Sequence, residues 1–357
     1  MRMSINVAIV GVGNCASSLV QAVSAARAGE SVLGLSHPKV GNYSISAIEF
    51  VAAFDVDERK IGTDLGEAIF AEPNCTTRYC DVAALSVPVS VGCLADGVSA
   101  GLQSMIPVAE ASHHITEQEI VACLRATHAE ILVLYLPVGS IEAAEVYAQA
   151  ALRSRCALVN CTPAWIATSP QWSRRFSDAG VPLLGDDVMS QIGSTAVHRA
   201  LLELFQRKGA VVSQTYQVNI GGNTDFLNMR APERAAAKRS TKRAALQHLL
   251  PTAEEPGVGP SDYIPHLLDH KVGYINIEGE GFLGMPFSVE LKLKVEDSPN
   301  SAGVVVNAIR AARVALDRKL GGPITDVCGF LFKHPPQCMA EYEALAAFNR
   351  FVCLGDE

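Results

Sequence analysis

The first part of the chain alternates unbroken apolar runs with helically spaced ones. "INVAIVGVGN" reads as a strand entering a glycine turn, and "CASSLVQAVSAARAG" as a helix stopped at Gly29. Further strands are expected in "EFVAAFDVD", "EILVLYLPVGS" and "CALVNCTP". Strands without polar alternation need cover on both faces, which predicts a parallel, doubly wound α/β sheet. Residues 62–117 are poorly periodic, and no function is assigned to them.

Beyond Asp187 the pattern changes. Val197, Ala200, Leu201, Leu204 and Phe205 carry the stripe of an amphipathic helix ending near Gly209. In "FSVELKLKVED", Val289, Leu291, Leu293 and Val295 alternate with charged residues, as in an antiparallel strand covered on one face. A second, α+β domain with a mainly antiparallel sheet is therefore expected over 190–297. The first domain spans 1–189 and is completed by 298–357, where "SPNSAGVVVNAIRAARVALDRKLGG" is helical again. "TAEEPGVGPSDYIP" reads as a surface loop.

At 357 residues the chain has length for two cores, and 49% hydrophobic with 18% charged residues is globular. A net charge of −8 argues against nucleic acid and anionic membranes as partners, leaving small molecules. No apolar run reaches the ~20 residues of a membrane span, and the start lacks a cleavable leader pattern, so a cytoplasmic protein is expected. Ten cysteines lie without metal or redox spacing, the closest pairs being Cys75 with Cys80 and Cys156 with Cys161, and read as free thiols.

"GVGNCA" (Gly11, Gly13, Asn14, Cys15, Ala16) fits G-x-G-x-x-A between a strand and a helix. This is the turn that brings a dinucleotide pyrophosphate to a helix N-terminus in Rossmann domains. Asp55 ends the second strand and suits the ribose hydroxyls, favouring NAD over NADP; Asp57 is the rival. The loop "SVLGLSHPKVGNYSIS" accounts for their distance from the turn.

"SQIGST" offers helix N–H groups with the hydroxyls of Ser190, Ser194 and Thr195, either as a phosphate cradle or as an ordinary cap. In "RAPERAAAKRSTKR", Arg230, Arg234, Lys238 and Lys242 recur every fourth residue. Such a ridge is a solvated face or, following the backbone-rich "GGNTD", part of a site where lysines bind phosphate or move protons. His113, His114 and His198 form no metal-ligand spacing, and no hydrolase motif occurs.

Together "VAIVGVGNCASSLVQ", "GDDVMSQIG", "VNIGGNTDF", "GPSDY", "ELKLKVEDSPNSAG" and "GGPI" carry a resemblance over nearly the whole chain. It is similar to the short bacterial and archaeal myo-inositol phosphate synthases. The resemblance implies a redox-neutral cyclisation with catalytic NAD. A sugar 6-phosphate is oxidised at C5, loses a proton at C6, closes on its C1 aldehyde and is reduced again by the same cofactor. It also implies a homotetramer.

By that resemblance Lys238, Lys242, Lys271 and Lys333, with Asn223, Asp225 and Asp187, form the catalytic site. Asp187 and Asp297 stand near the nicotinamide, and Ser190, Gln191, Gly193, Ser194 and Lys242 hold the phosphate. Two departures bear on specificity: Met189 stands where relatives usually carry lysine in Gly–Asp–Asp–x–Lys–Ser, and Leu227 replaces another lysine. A diverged branch of the family makes a five-membered cyclitol phosphate for carbocyclic nucleosides of the aristeromycin type. Fructose 6-phosphate therefore stands beside glucose 6-phosphate as a candidate, and a sensor of NAD or sugar phosphate without turnover is a third reading. Any requirement for a cation is open.

Overall fold

A computed structural model describes residues 4–247, 249–250 and 256–353. In chain order its main strands are β1 (Ile5–Val10), β2 (Ile48–Asp55), β3 (Val89–Val91), β4 (Ile131–Leu134), β5 (Ala157–Asn160) and β6 (Pro182–Leu184). They are followed by β7 (Val211–Gly221), β8 (Gly257–Tyr263), β9 (His270–Glu280), β10 (Pro286–Glu296) and β11 (Gly322–Pro323).

Among the described residues the first sheet runs β11-β6-β5-β4-β1-β2-β3, with every pair parallel. Its apolar runs lack alternation because both faces are covered. Val7 and Ile9 of β1 pack with the helix Asp297–Asp317, while Ala8 and Val10 pack on the other side with Tyr147 and Phe176. The helix Asn14–Arg27 lies against Asp297–Asp317, so the late segment does return to the first sheet.

The second sheet runs β8-β7-β9-β10, antiparallel except for β8 on β7. On β10 the apolar Val289, Leu291 and Leu293 are half-buried and Glu290, Lys292 and Lys294 exposed, the expected alternation. Three expectations need correction. Residues 257–263 are not a loop but a strand, since pairing with β7 satisfies their backbone; residues 252–255 lie outside the described residues. The helix after Asp187 begins at Ser194, with Gly193 as its cap, rather than at Ser190.

That helix also buries a different stripe. His198, Arg199, Leu202 and Glu203 are buried, whereas Ala200 and Leu204 are exposed. The late segment 339–341 gives two of these polar residues partners: Arg199 donates to Met339 O and Glu203 accepts from the Glu341 N–H. Val197, Leu201 and Phe205 turn partly toward the second sheet.

The long loop before β2 is strapped to the helix Asp297–Asp317. Arg310, fully buried, donates to the carbonyls of His37, Pro38 and Tyr43, and Asn307 donates to Ser36. No helix among the described residues is long and apolar enough to cross a membrane.

Candidate active site

One cavity runs from the glycine turn to the second sheet. At the turn, Gly11 has φ +88°, and a Cβ there would lie 2.6 Å from Tyr135 O, so neither the backbone nor the space admits a side chain. A Cβ on Gly13 would meet nothing within 4 Å. The helix Asn14–Arg27 has no side-chain cap, because its cap residue is Gly13, and Asn14 Oδ1 accepts from Cys75 N at 2.7 Å and Thr76 N at 3.1 Å. Its first N–H groups are free for an anion.

Asp55 accepts from the Val12 N–H inside the turn at 2.6 Å, whereas Asp57 is held in a forked ion pair by Arg59. Of the two acids, Asp55 is thus bound to the turn itself. Its place, the free helix end and the open side at Gly13 fit a dinucleotide. Cys15 lines the cavity, and Ala16 is buried behind the turn.

At the far end, β6 leads through a cis Gly185–Asp186 peptide to Asp187, whose φ of +59° is a left-handed conformation that aspartate tolerates. The adjacent acids have opposite surroundings. Asp186 is sealed among Asn160, Ala167 and Thr168, and burial pushes it up to about 6. Burial would raise Asp187 too, but Lys238 Nζ at 2.9 Å and Lys333 Nζ at 3.0 Å, with Thr241 Oγ1 at 2.6 Å, hold it below the usual carboxylate range.

Lys238 and Lys242 belong to the helix Pro232–Gln247. The ridge is therefore not a solvated face at these positions. Arg234 donates to Val138 O and Asp96 O, while Arg230 precedes the helix and is exposed. Burial opposes the charge of Lys238, but Asp187 and Asp225 override it and raise its pKa. Lys333 is pushed down to about 8 by burial, with Lys238 and Lys271 adding and Asp187 opposing.

Burial and the three neighbouring ammonium groups drive Lys242 well below its ordinary value, and among the described residues it has no acceptor. Lys271 is paired with Asp297 at the start of the helix Asp297–Asp317, and that pairing outweighs burial to keep Asp297 low. Burial raises Asp225. Asn223 caps the short helix Thr224–Asn228 and donates to Asp269 at 3.0 Å.

The Ser194 hydroxyl and Asn219 Oδ1 are buried without partners and line the same cavity as Lys242. They meet around Gly273, where a Cβ would collide with Ser194 Oγ. With Ser190, Gly193 and Thr195 lining the same wall, and no side-chain cap on the helix Ser194–Arg207, this corner offers donors to an anion. Met189 is 5% exposed and lines the cavity. Two residues stay outside it: Gln191 is exposed and donates to Gly34 O, and Leu227 is half-buried elsewhere.

The ammonium and carboxylate groups alternate, Lys238–Asp187–Lys333 and Lys271–Asp297, so protons and oxyanions can be handled side by side. No group of three or more His, Cys, Asp or Glu residues able to hold a metal occurs among the described residues. Three participants carried no sequence signal as read above. Thr241 lies three residues after Lys238, on the face it shares with that lysine, and a closer reading of helical spacing finds it. Asp269, two residues before Lys271, accepts from Asn223 and from Ser298 N–H and Oγ, and burial pushes it up to about 6. Asn74, from the stretch given no function, lines the cavity and donates to Val12 O at 3.0 Å.

The family model described as myo-inositol-1-phosphate synthase matches residues 193–298. Inositol-3-phosphate synthase of Corynebacterium glutamicum is 43% identical over 98% of this chain and 98% of its own length. That of Mycolicibacterium smegmatis is 44% identical over 98% of each. Among solved structures, Ari2 superposes with TM-score 0.79 at 35% identity, covering 99% of this chain and 100% of Ari2. A myo-inositol-1-phosphate synthase-related protein from Thermotoga maritima gives TM-score 0.85 at 24% identity over 98% of each chain, a likeness of fold. With full-length relatives at this identity, the chain belongs to the myo-inositol phosphate synthase family.

Proposed function

We propose that this protein cyclises a hexose 6-phosphate to a cyclitol phosphate with catalytic NAD, glucose 6-phosphate being the substrate and a myo-inositol phosphate the product. The observation that carries the reading is the convergence of Lys238, Lys242, Lys271 and Lys333 with Asp187 and Asp297 in one cavity continuous with the glycine turn and Asp55. NAD, when bound, supplies the oxidation at C5 and the closing reduction. Gly11, Gly13, the helix end at Asn14 and Asp55 hold it.

Lys242, the Ser190 and Ser194 hydroxyls and the helix end at Gly193 bind the phosphate. Its negative charge restores the proton that burial disfavours on Lys242. Lys333, with a value of about 8, takes a proton from the substrate. Lys238, kept cationic by Asp187, stabilises the developing oxyanion, and Lys271 with Asp297 serves the second oxygen. The cofactor-binding part comprises 1–189 and 298–357, and residues 190–297 form the catalytic, tetramer-forming part of a cytoplasmic enzyme.

Met189 favours a second reading. A buried thioether beside Asp187, without the ammonium of relatives, suits a ketose better than an open-chain aldose. Fructose 6-phosphate would then close through its C2 ketone to a five-membered ring, and the likeness to Ari2 is consistent with this.

The test is incubation with NAD and each hexose 6-phosphate separately, with the ring product identified by NMR. A six-membered cyclitol phosphate from glucose 6-phosphate, without net NADH, is expected. A five-membered product from fructose 6-phosphate selects the second reading. NADH accumulating in step with product identifies an ordinary dehydrogenase, and binding without turnover a sensor.

A further inference from the structure

Lys60 is 3% exposed and lies one turn beyond the second β-strand of the cofactor side. Its Nζ donates to Val12 O at 2.8 Å and to Asn74 Oδ1 at 3.2 Å. Val12 is the residue between Gly11 and Gly13. Asn74 Nδ2 donates to the same carbonyl and to Ile69 O at 2.9 Å, so the ammonium is fixed against the glycine turn from below.

Lysine has three N–H donors, and both acceptors here are neutral. The acids close in sequence are committed elsewhere. Asp57 is taken by Arg59, and the Asp55 oxygens accept from the N–H groups of Val12, Val56 and Asp57. Among the described residues no carboxylate forms an ion pair with Lys60. Yet Lys60 lines the cavity together with Gly11, Gly13 and Asp55.

A buried charge without a counter-charge is costly, and a glycine turn alone offers an anion only N–H dipoles. We propose that Lys60 is a cofactor-binding residue: its ammonium is the counter-charge for the diphosphate of a dinucleotide lying across the Gly11–Gly13 turn. This rests on the NAD reading above. The charge acts at short range in a poorly screened setting, so it favours ligands that carry the diphosphate and ignores those that carry only the nucleoside.

Calorimetric titration of NAD, ADP-ribose and adenosine into the wild-type protein, Lys60→Gln and Lys60→Met tests the assignment. Two neutral variants are used so that folding of either one, checked by its melting curve, suffices. NAD and ADP-ribose are expected to bind about tenfold or more weakly to the variants, as for loss of one charge-assisted contact, with adenosine affinity unchanged within about twofold. An equal loss for all three ligands would make Lys60 a brace of the turn and overturn the proposal, as would unchanged NAD affinity. A wild-type protein that binds no NAD would instead sink the cofactor reading, and this one with it.

Discussion

Lys333 Nζ stands 3.0 Å from Asp187 Oδ1, the same oxygen that accepts from Lys238 at 2.9 Å, although the two lysines come from distant parts of the chain. One carboxylate therefore decides the charge of two ammonium groups. Lys333, at about 8, loses activity as a base when pH falls and it becomes protonated, so kcat/KM is expected to decline below about pH 8. In Asp187→Asn that limb moves to lower pH, because the partner raising the lysine's value is gone, and turnover drops by roughly 10²-fold or more. A limb that stays at the same pH would exclude Lys333 as the group titrating.

The same lysine bears on stability. Its folded value of about 8 lies below the ordinary 10.5, so between these values the unfolded chain binds more protons than the folded one. By linkage the contribution of Lys333 to stability rises with pH across that window and is least favourable below it. Urea unfolding of the wild type and Lys333→Met at pH 7.5 and 10, values chosen on the order of the window's two ends, measures it. The gap between the proteins should narrow at the higher pH.

Lys242 presents the opposite bargain between folding and function. It is buried with three cationic neighbours and, among the described residues, no acceptor. Lys242→Met should raise unfolding free energy by about 2 kcal/mol while lowering turnover roughly 10²-fold or more. Inorganic phosphate should raise the melting temperature of the wild type and leave that of the variant unmoved. A variant less stable than the wild type would mean that Lys242 has a partner in the resting site.

Met189→Lys probes substrate choice. If residue 189 sets it, the ratio of kcat/KM for glucose and fructose 6-phosphates moves toward glucose by about fivefold, or ~1 kcal/mol of transition-state discrimination. An unchanged ratio would return Met189 to simple packing.

Arg310→Met should destabilise the fold by about 3 kcal/mol, since the carbonyls of His37, Pro38 and Tyr43 lose their buried donor. Turnover measured well below the melting temperature should change little, because the strap lies away from the lysines. A large loss of kcat would tie residues 30–47 to the chemistry.

The centre of the parallel sheet was legible because β1, β2, β4 and β5 are apolar runs, whereas β3 lies in the stretch read as poorly periodic and β11 is only Gly322–Pro323; the turn was legible because Gly11, Gly13 and Asp55 answer to a ligand's shape. Lys238 and Lys242 were visible as spacing, but helical periodicity alone leaves open which side of the ridge faces inward. What decides it is Asp187, which arrives from another part of the chain. Asp269 and Lys60 were silent for the same reason: each works through contacts to segments distant in sequence. The helix Ser194–Arg207 misled because its buried face is polar, with partners for Arg199 and Glu203 coming from the later segment 339–341.

The helix Asp297–Asp317 begins on the residue after β10 ends, with Glu296 as its cap, and then runs against the parallel sheet with most of its length buried. No spacer separates the strand that ends beside Lys271 from the rod that underlies the nucleotide side. The two halves of the cavity are thus mounted on one continuous girder, and a hinge at this junction has no pliable residue in which to bend. The spacing between the glycine turn and the lysines is then inherited from the fold itself.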